Sequence, residues 1–490
     1  MKIRSAVMVL TAVLAACSAS TAPDSAKTEV ALVTPKAACG PGSRPETGTQ
    51  GRVSVEDHTS GRAALGYTCN TELVGSYIAT PKPQGTVGGF KVFRYFDAAG
   101  HECAFYDSTL LWPSQYANGP DGVTGVNVLD MSDHAKPVLT DTLLTPAMQS
   151  PHESLVLSKD GLLVAVAGTA AMYPGVMDIW DASADCRHPV FKSTTPVAPF
   201  GHESGLSPDG KTFYVGSPGT PTVVPVDISD PMIPKPLGVL PYYSHGMGIS
   251  ADGKRAYMAC IGASGSARAF SNGQITQVPD PDKDRALVIV DVSEFQARKA
   301  GAQGHEISRL TWSPMSIPQN AIPFTSKGKP YLLEIDEYGQ QVEVGAARII
   351  DISDETKPFV VSNLRLEVHD PANFAAQSGD NAATFAGQGY AGHYCALPTQ
   401  TDPTIVACSM ILSGLRVFDI RDVQHPKEVA YFNAPILPRE YPIPTPASNY
   451  AMSAPAFVPE KKEIWYTDTY SGFYVVKVTN SAWPDGEAIH

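Results

Sequence analysis

Four histidines stand at one recurring place in this 490-residue chain. Pro151-His152-Glu153-Ser154 and Gly201-His202-Glu203-Ser204 share a phrase, and Ser244-His245-Gly246 and Gly392-His393-Tyr394-Cys395 stand at equivalent points. Each lies seven to nine residues ahead of a turn signal such as Pro208-Asp209-Gly210 or Pro398 to Pro403. Neutral imidazoles converging from several places are good ligands for Fe, Cu or Zn, and a carboxylate behind a ligand can orient its ring. His152, His202, His245 and His393 are therefore candidate metal ligands, with Glu153 and Glu203 expected as the orienting carboxylates behind them. The competing reading is that these histidines only hydrogen-bond backbone. His152 sits one residue further from its turn than His202. Period-two alternation then points it the other way unless a bulge compensates.

Weaker constellations complete the inventory. His369, in Val368-His369-Asp370-Pro371, either caps a loop or joins the site, and the cap is favoured. Glu334, Asp336 and Glu337 are oxygen donors that suit Ca²⁺; without an EF-hand loop, a solvated acidic turn is the expectation. Ser154 and Ser204 lack a Gly-x-Ser-x-Gly elbow. No phosphate-binding glycine loop, Cys-x-x-Cys pair or zinc-finger spacing occurs. A net charge of −13 argues against nucleic acid as a partner.

What must position these side chains is a repeat. One phrase returns six times: Val128-Leu129-Asp130-Met131-Ser132-Asp133, Asp178-Ile179-Trp180-Asp181-Ala182-Ser183, Val226-Asp227-Ile228-Ser229-Asp230, Val290-Asp291-Val292-Ser293, Ile350-Asp351-Ile352-Ser353-Asp354 and Phe418-Asp419-Ile420-Arg421-Asp422. A shortened seventh copy, Gly472 to Val478, stands near the C-terminus. The spacing runs from 46 residues (Asp181 to Asp227) to 68 (Asp351 to Asp419). A turn-broken, strand-rich period of this order marks a β-propeller. Within one unit, Ser204–Ser207, Thr212–Gly216, Thr222–Ile228 and Lys235–Leu240 read as four strands joined by turns. The expected fold is all-β: a seven-bladed β-propeller of four-stranded antiparallel blades. The inner strands would line a central channel and bring the histidines toward one mouth. Residues from about 51–100 should close the ring beside Tyr474 to Val478. Two long excursions, 262–285 and 367–392, are candidates for covering a site.

The repeated phrase, above all Leu287-Val288-Ile289-Val290-Asp291, resembles the LVIVD-repeat family of bacterial exported proteins. The resemblance covers roughly residues 65 to 480. Tyr67 to Gly75, Leu366 to Asn373 and Ser413 to Asp422 are similar to one exported subgroup. The resemblance implies the propeller fold and no settled reaction. The seventh copy departs from the pattern by lacking the Asp-Ile-Ser-Asp turn, as suits a terminal strand.

The first residues address the chain to a compartment. Lys2 and Arg4 precede the apolar run from Ile3 to Leu14, too short to remain as a membrane span. Leu14-Ala15-Ala16-Cys17 reads as a lipobox, making 1–17 a lipoprotein signal and Cys17 the lipidation site. By resemblance to Gram-negative lipoprotein sorting, Ser18 directs the chain to the outer membrane, facing periplasm or surface. Residues 18–50, rich in Ala, Ser, Thr and Pro, read as a flexible tether, and 51–490 as the propeller. Membrane contact is then by the lipid anchor alone. Export favours disulfides. Cys395 and Cys408 flank a hairpin turn and should pair; Cys69 and Cys103 are the next candidates, and Cys260 reads as buried.

Two functions from different classes fit these features. One is a cell-envelope scaffold that binds a small-molecule, protein or glycan ligand without chemistry. The other is an Fe-, Cu- or Zn-dependent enzyme acting on a small organic substrate at the histidine cluster.

Overall fold

The computed structural model describes residues 30–78, 88–108, 125–167, 175–262, 285–338, 344–380, 389–436 and 449–485. It is an all-β, seven-bladed propeller of four-stranded antiparallel blades, one of which carries a fifth strand. From the axis outward, blade one is Val92–Phe96, Glu102–Asp107, Val126–Asp130 and Val138–Leu143. Blade two is Val156–Leu157, Leu162–Val166, Gly175–Asp181 and Val190–Ala198. Blade three runs Ser204–Leu206, Thr212–Val215, Val224–Asp227 and Lys235–Pro236. Blade four runs Ser244–Ile249, Arg255–Cys260, Ala286–Asp291 and His305–Leu310. Blade five comprises Ile317–Ser326, Lys329–Glu337, Ala347–Asp351 and Phe359–Leu364. Blade six comprises Tyr394–Ala396, Ile405–Ser409, Leu415–Asp419 and Lys427–Asn433. Blade seven is Ala456–Val458, Glu463–Asp468 and Gly472–Val478, completed on the outside by Thr71–Tyr77.

The repeated phrase is the end of each third strand and the turn that follows. Third strands are covered on both faces by neighbouring blades, so they read as continuous apolar runs, as in Leu287–Val290. The anchor aspartate then folds the chain back. Asp130, Asp181, Asp227, Asp291, Asp351 and Asp419 each accept, through Oδ1, the backbone N–H two residues on, at 2.7–3.0 Å. This is the local bond that makes Asp a turn former. Outer strands face solvent on one side, which explains exposed Val138, Val190 and Phe359.

Ring closure follows the expected pairing: Thr71 lies opposite Val478 and Tyr77 opposite Phe473. The residues just before it add a fifth strand, Tyr67–Cys69, to blade six. The segment ahead of that corrects the flexible-tether expectation. Residues 30–50 are fastened to the propeller. Thr34 N–H donates to the Arg365 carbonyl at 2.8 Å, Glu46 pairs with buried Arg416, and Gln50 donates to Glu428 at 2.8 Å. Composition favoured a linker, but these polar anchors fix its backbone. Residues 1–29, with the signal, Cys17 and the start of the tether, lie outside the described residues. No helix among the described residues is long and apolar enough to cross a membrane.

Three disulfides form among the described residues. Cys395–Cys408 joins directly opposed residues of a hairpin, as expected. The Cys69–Cys103 pairing does not occur. Cys69 belongs to the edge of blade six and bonds Cys39, while Cys103 in blade one bonds Cys186 in a turn of blade two. Proximity in sequence misleads here, because ring closure sends Cys69 and Cys103 to different blades. Cys260 is free and buried.

Blades one and seven meet at a buried ionic node. His134 Nε2 lies 3.0 Å from Glu102, and its Nδ1 is bonded to Glu463. Burial opposes protonation, but the two carboxylates outweigh it and push the imidazole up to about 9. The folded value lies above the unfolded 6.5. The stabilisation is therefore complete below pH 6.5, fades as pH rises, and is gone above about 9. We predict that the wild type loses about 3 kcal/mol across this window from this group, and that His134→Gln flattens that slope. Melting temperature against pH measures it; equal slopes for both proteins would refute the assignment.

Candidate metal centre

The inner strands of neighbouring blades run side by side around the axis; Glu153 and Glu203 form a parallel bridge, as do Lys91 and Ala454. Their N-terminal ends place Lys91, Glu153, Glu203, His245, Gln319, Asn320, His393 and Ser453 at one level of the repeat. His152 joins its neighbours although its register points it away. Its backbone lies in the left-handed region (φ 47°), which rotates the ring toward the axis without a bulge. For a non-glycine residue this costs about 1–3 kcal/mol, a strain that collects at functional sites.

The four candidate histidines do converge. The rings of His152 and His202 lie 4.2 Å apart, and those of His202 and His245 4.8 Å. His245 Nε2 and His202 Nε2 are 2.9 Å apart. Phe90, from the start of blade one, packs against His152 and His393. Glu153 was expected behind a ligand. It lies instead at the centre. Its Oε2 is 3.2 Å from both His202 Nε2 and His245 Nε2, and its Oε1 is 3.1 Å from His393 Nε2. Glu337 completes the cluster, 3.5 Å from His245 and 3.3 Å from His393. It ends the second strand of blade five, the blade with Gln319 and Asn320 where others carry histidine.

This corrects the solvated-turn reading of the acidic trio. Glu334 and Asp336 are fully buried and pair with Arg348, while Glu337 turns to the axis. Glu203 has its own layer. Its Oε1 accepts from Lys91 Nζ at 3.0 Å and from Asn320, and Lys91 Nζ sits 3.8 Å above the Tyr394 ring. The Tyr394 hydroxyl accepts from Gln319 at 2.8 Å. A side chain on Gly246 would collide with Glu203, so glycine makes room for the carboxylate. His369 caps its loop: its Nδ1 accepts from Leu366 N–H at 3.1 Å and its Nε2 contacts the Tyr390 carbonyl at 2.8 Å. Lys91 and Tyr394 escaped the sequence reading; the available signal was their place at or beside the N-terminal end of an inner strand.

The hydrogen bonds define tautomers. His245 Nδ1 faces the Pro318 carbonyl at 3.1 Å, and His393 Nδ1 faces the Met452 carbonyl at 2.8 Å. A ring nitrogen beside a carbonyl oxygen must carry the proton. In the neutral rings the Nε2 lone pairs then point at the Glu153 and Glu337 carboxylates, a repulsive arrangement that only a cation between them relieves. Without metal the cation is a proton. Burial opposes it, but the carboxylates push His245 and His393 up to about 9. Burial and neighbouring imidazoles hold His152 well below its usual range, and burial lowers His202 against the pull of Glu153. Glu153 is held well below the carboxylate range by the surrounding histidines, against its burial. Buried atoms left without a hydrogen-bond partner include Glu153 Oε2, His393 Nε2 and the Nδ1 atoms of His152 and His202. Such orphans are expensive unless something else bonds them. An imidazole-rich set with two carboxylates and backbone-fixed tautomers fits Fe, Cu or Zn. His152 and His202 retain slight exposure, 6% and 9%, as do Lys91 and Asn320, 8% and 9%.

A third acidic-histidine group, Asp97, His101 and Asp185, is already occupied. Asp97 accepts backbone N–H groups of Ala99, His101 and Cys186, and Asp185 binds Arg187.

No family model and no curated protein matches the chain. Solved structures share the architecture. The periplasmic gluconolactonase of Pseudomonas aeruginosa is 12% identical, with a TM-score of 0.48 over 80% of this chain and 98% of that one. The hydrazine synthase of Kuenenia stuttgartiensis is 13% identical, with a TM-score of 0.47 over 82% and 99%. At these values the likeness bears on no residue of the centre.

Proposed function

We propose that this chain is a transition-metal protein that binds Fe, Cu or Zn on its propeller axis and acts on a small organic substrate. One observation carries the reading: His245 and His393, with Nδ1 protons committed to backbone carbonyls, turn Nε2 toward shared buried carboxylates. Histidines that only hydrogen-bond backbone around a channel would not gather their Nε2 atoms on Glu153 and Glu337. The metal would supply Lewis acidity or redox capacity. Lys91 and Glu203 hold polar groups beneath it, and the Phe90 ring shields it from water.

The test is metal content by plasma mass spectrometry, on protein purified without a histidine tag, beside a His202→Ala, His245→Ala double variant. At least one equivalent of metal, falling sharply in the folded variant, is expected. No metal in either protein would return the chain to the scaffold reading, a propeller that binds an envelope protein, glycan or small ligand.

We also propose an exported, lipid-anchored protein of the cell envelope, related to the LVIVD-repeat family. Three disulfides suit an oxidising compartment. Mass spectrometry of the mature N-terminus tests acylation of Cys17; an unmodified terminus would refute it.

A further inference from the structure

The six axial ligand side chains are divided by one carboxylate. Glu153 Oε2 faces His202 and His245 at 3.2 Å each, with His152 Nε2 at 4.0 Å. Its Oε1 faces the other way, to His393 at 3.1 Å. Glu337 stands with His393, its Oε2 at 3.3 Å. Two groups result, His152–Glu153–His202 and Glu153–Glu337–His393, each with donor atoms within 4.8 Å of one another. Within each group the distances to Glu153 or Glu337, 3.1–4.0 Å, fit one ion with bonds of about 2.0–2.2 Å. A carboxylate that offers a different oxygen to each of two ligand sets has the geometry of a bridge, and bridged pairs sit about 3.5–4 Å apart.

We propose that the axis holds two divalent first-row transition ions bridged by Glu153. His152, His202 and Glu153 Oε2 take one ion; His393, Glu337 and Glu153 Oε1 take the other. His245 stands between them, within 3.2 Å of Glu153 and 3.5 Å of Glu337. The count of charges agrees. Two ions bring four positive charges, and the two carboxylates offset two. The remainder favours an oxyanion, either hydroxide or an anionic group of the substrate. Glu203 is left out of the ligand set because Lys91 and Asn320 occupy one of its oxygens.

This inference rests on the metal reading, and counting ions separates the two. The full chain, without a tag, is stripped with chelator and titrated with Zn(II) or Mn(II), then desalted and counted. Two equivalents per chain are expected, with an exchange-coupled electron paramagnetic resonance signal for Mn(II). Glu337→Gln should retain one equivalent and show the six-line spectrum of isolated Mn(II). One equivalent in the wild type would overturn the bridged pair and leave the metal reading standing. None would overturn both.

Discussion

Glu153→Gln should abolish metal loading while leaving the propeller folded. Metal content is expected to fall at least tenfold, a larger effect than any single histidine substitution. Between them the two oxygens of Glu153 face all four imidazoles, at 3.1–4.0 Å. An amide keeps the shape but removes the charge, and its N–H₂ end cannot ligate. The melting curve gives an independent readout. A ligand that binds only the folded chain stabilises it by about 4 kcal/mol at a thousandfold excess over Kd. The wild type should therefore melt several degrees higher with metal than with chelator, and Glu153→Gln should not. Glu203→Gln is the control, since Glu203 faces Lys91 and Asn320; it should load like the wild type. Retention of metal by Glu153→Gln, or equal loss in Glu203→Gln, would remove Glu153 from the centre.

The expected loss has a counterpart in stability. Metal-free, the centre packs two carboxylates and four imidazoles into the buried axis, with several polar atoms lacking partners and a strained backbone at His152. Removing the Glu153 charge from the apo protein also leaves Glu337 as the one carboxylate of the pair that favours protonated His245 and His393. Local rules are broken at this point of the ring, and breaks of that kind gather where a site needs them.

The fold was legible because each blade repeats its reasons. Asp227 and its five counterparts bond the backbone two residues on, so a turn signal recurs at a countable interval, and Leu287–Val290 reads as a strand buried on both faces. The histidine positions were legible for the same reason. What escaped turned on single-residue geometry. Alternation sends His152 and Glu153 to opposite faces and pointed His152 away from the axis; a left-handed His152 breaks that alternation, and both enter. For Glu337 the alternation itself held the answer. Glu334 and Asp336 share one face, toward Arg348, and Glu337 takes the other, toward the axis; their closeness in sequence suggested a single acidic turn. Cys39 and Glu46 lie in a stretch whose Ala, Ser and Pro content says linker, and only three-dimensional partners, Cys69 and Arg416, say otherwise.

Arg348→Met should be the most destabilising single change in blade five, costing about 3–5 kcal/mol. Arg348 lies opposite Glu334 in the sheet, pairs with it, and holds Asp336 at 2.8 Å. All three side chains are removed from water, and burial with the Asp336 charge raises Glu334 well above the carboxylate range despite the guanidinium. Without Arg348 two buried acids lose the guanidinium that pairs with both, and the Trp312 ring loses the same group 4.2 Å away. The damage should reach the metal centre. Asp336 also accepts from Trp312 Nε1 at 3.0 Å and from Ser316 N–H at 3.2 Å, which fixes the entry to the strand carrying Gln319 and Asn320, and Glu337 is the next residue along. Urea denaturation in chelator measures the loss free of metal linkage. Replacing all three charged residues with apolar ones of similar volume should recover most of it, because breaking such a cluster is worse than omitting it. A loss under about 1 kcal/mol for Arg348→Met would mean that water reaches this cluster, and that blade five positions Glu337 by packing alone.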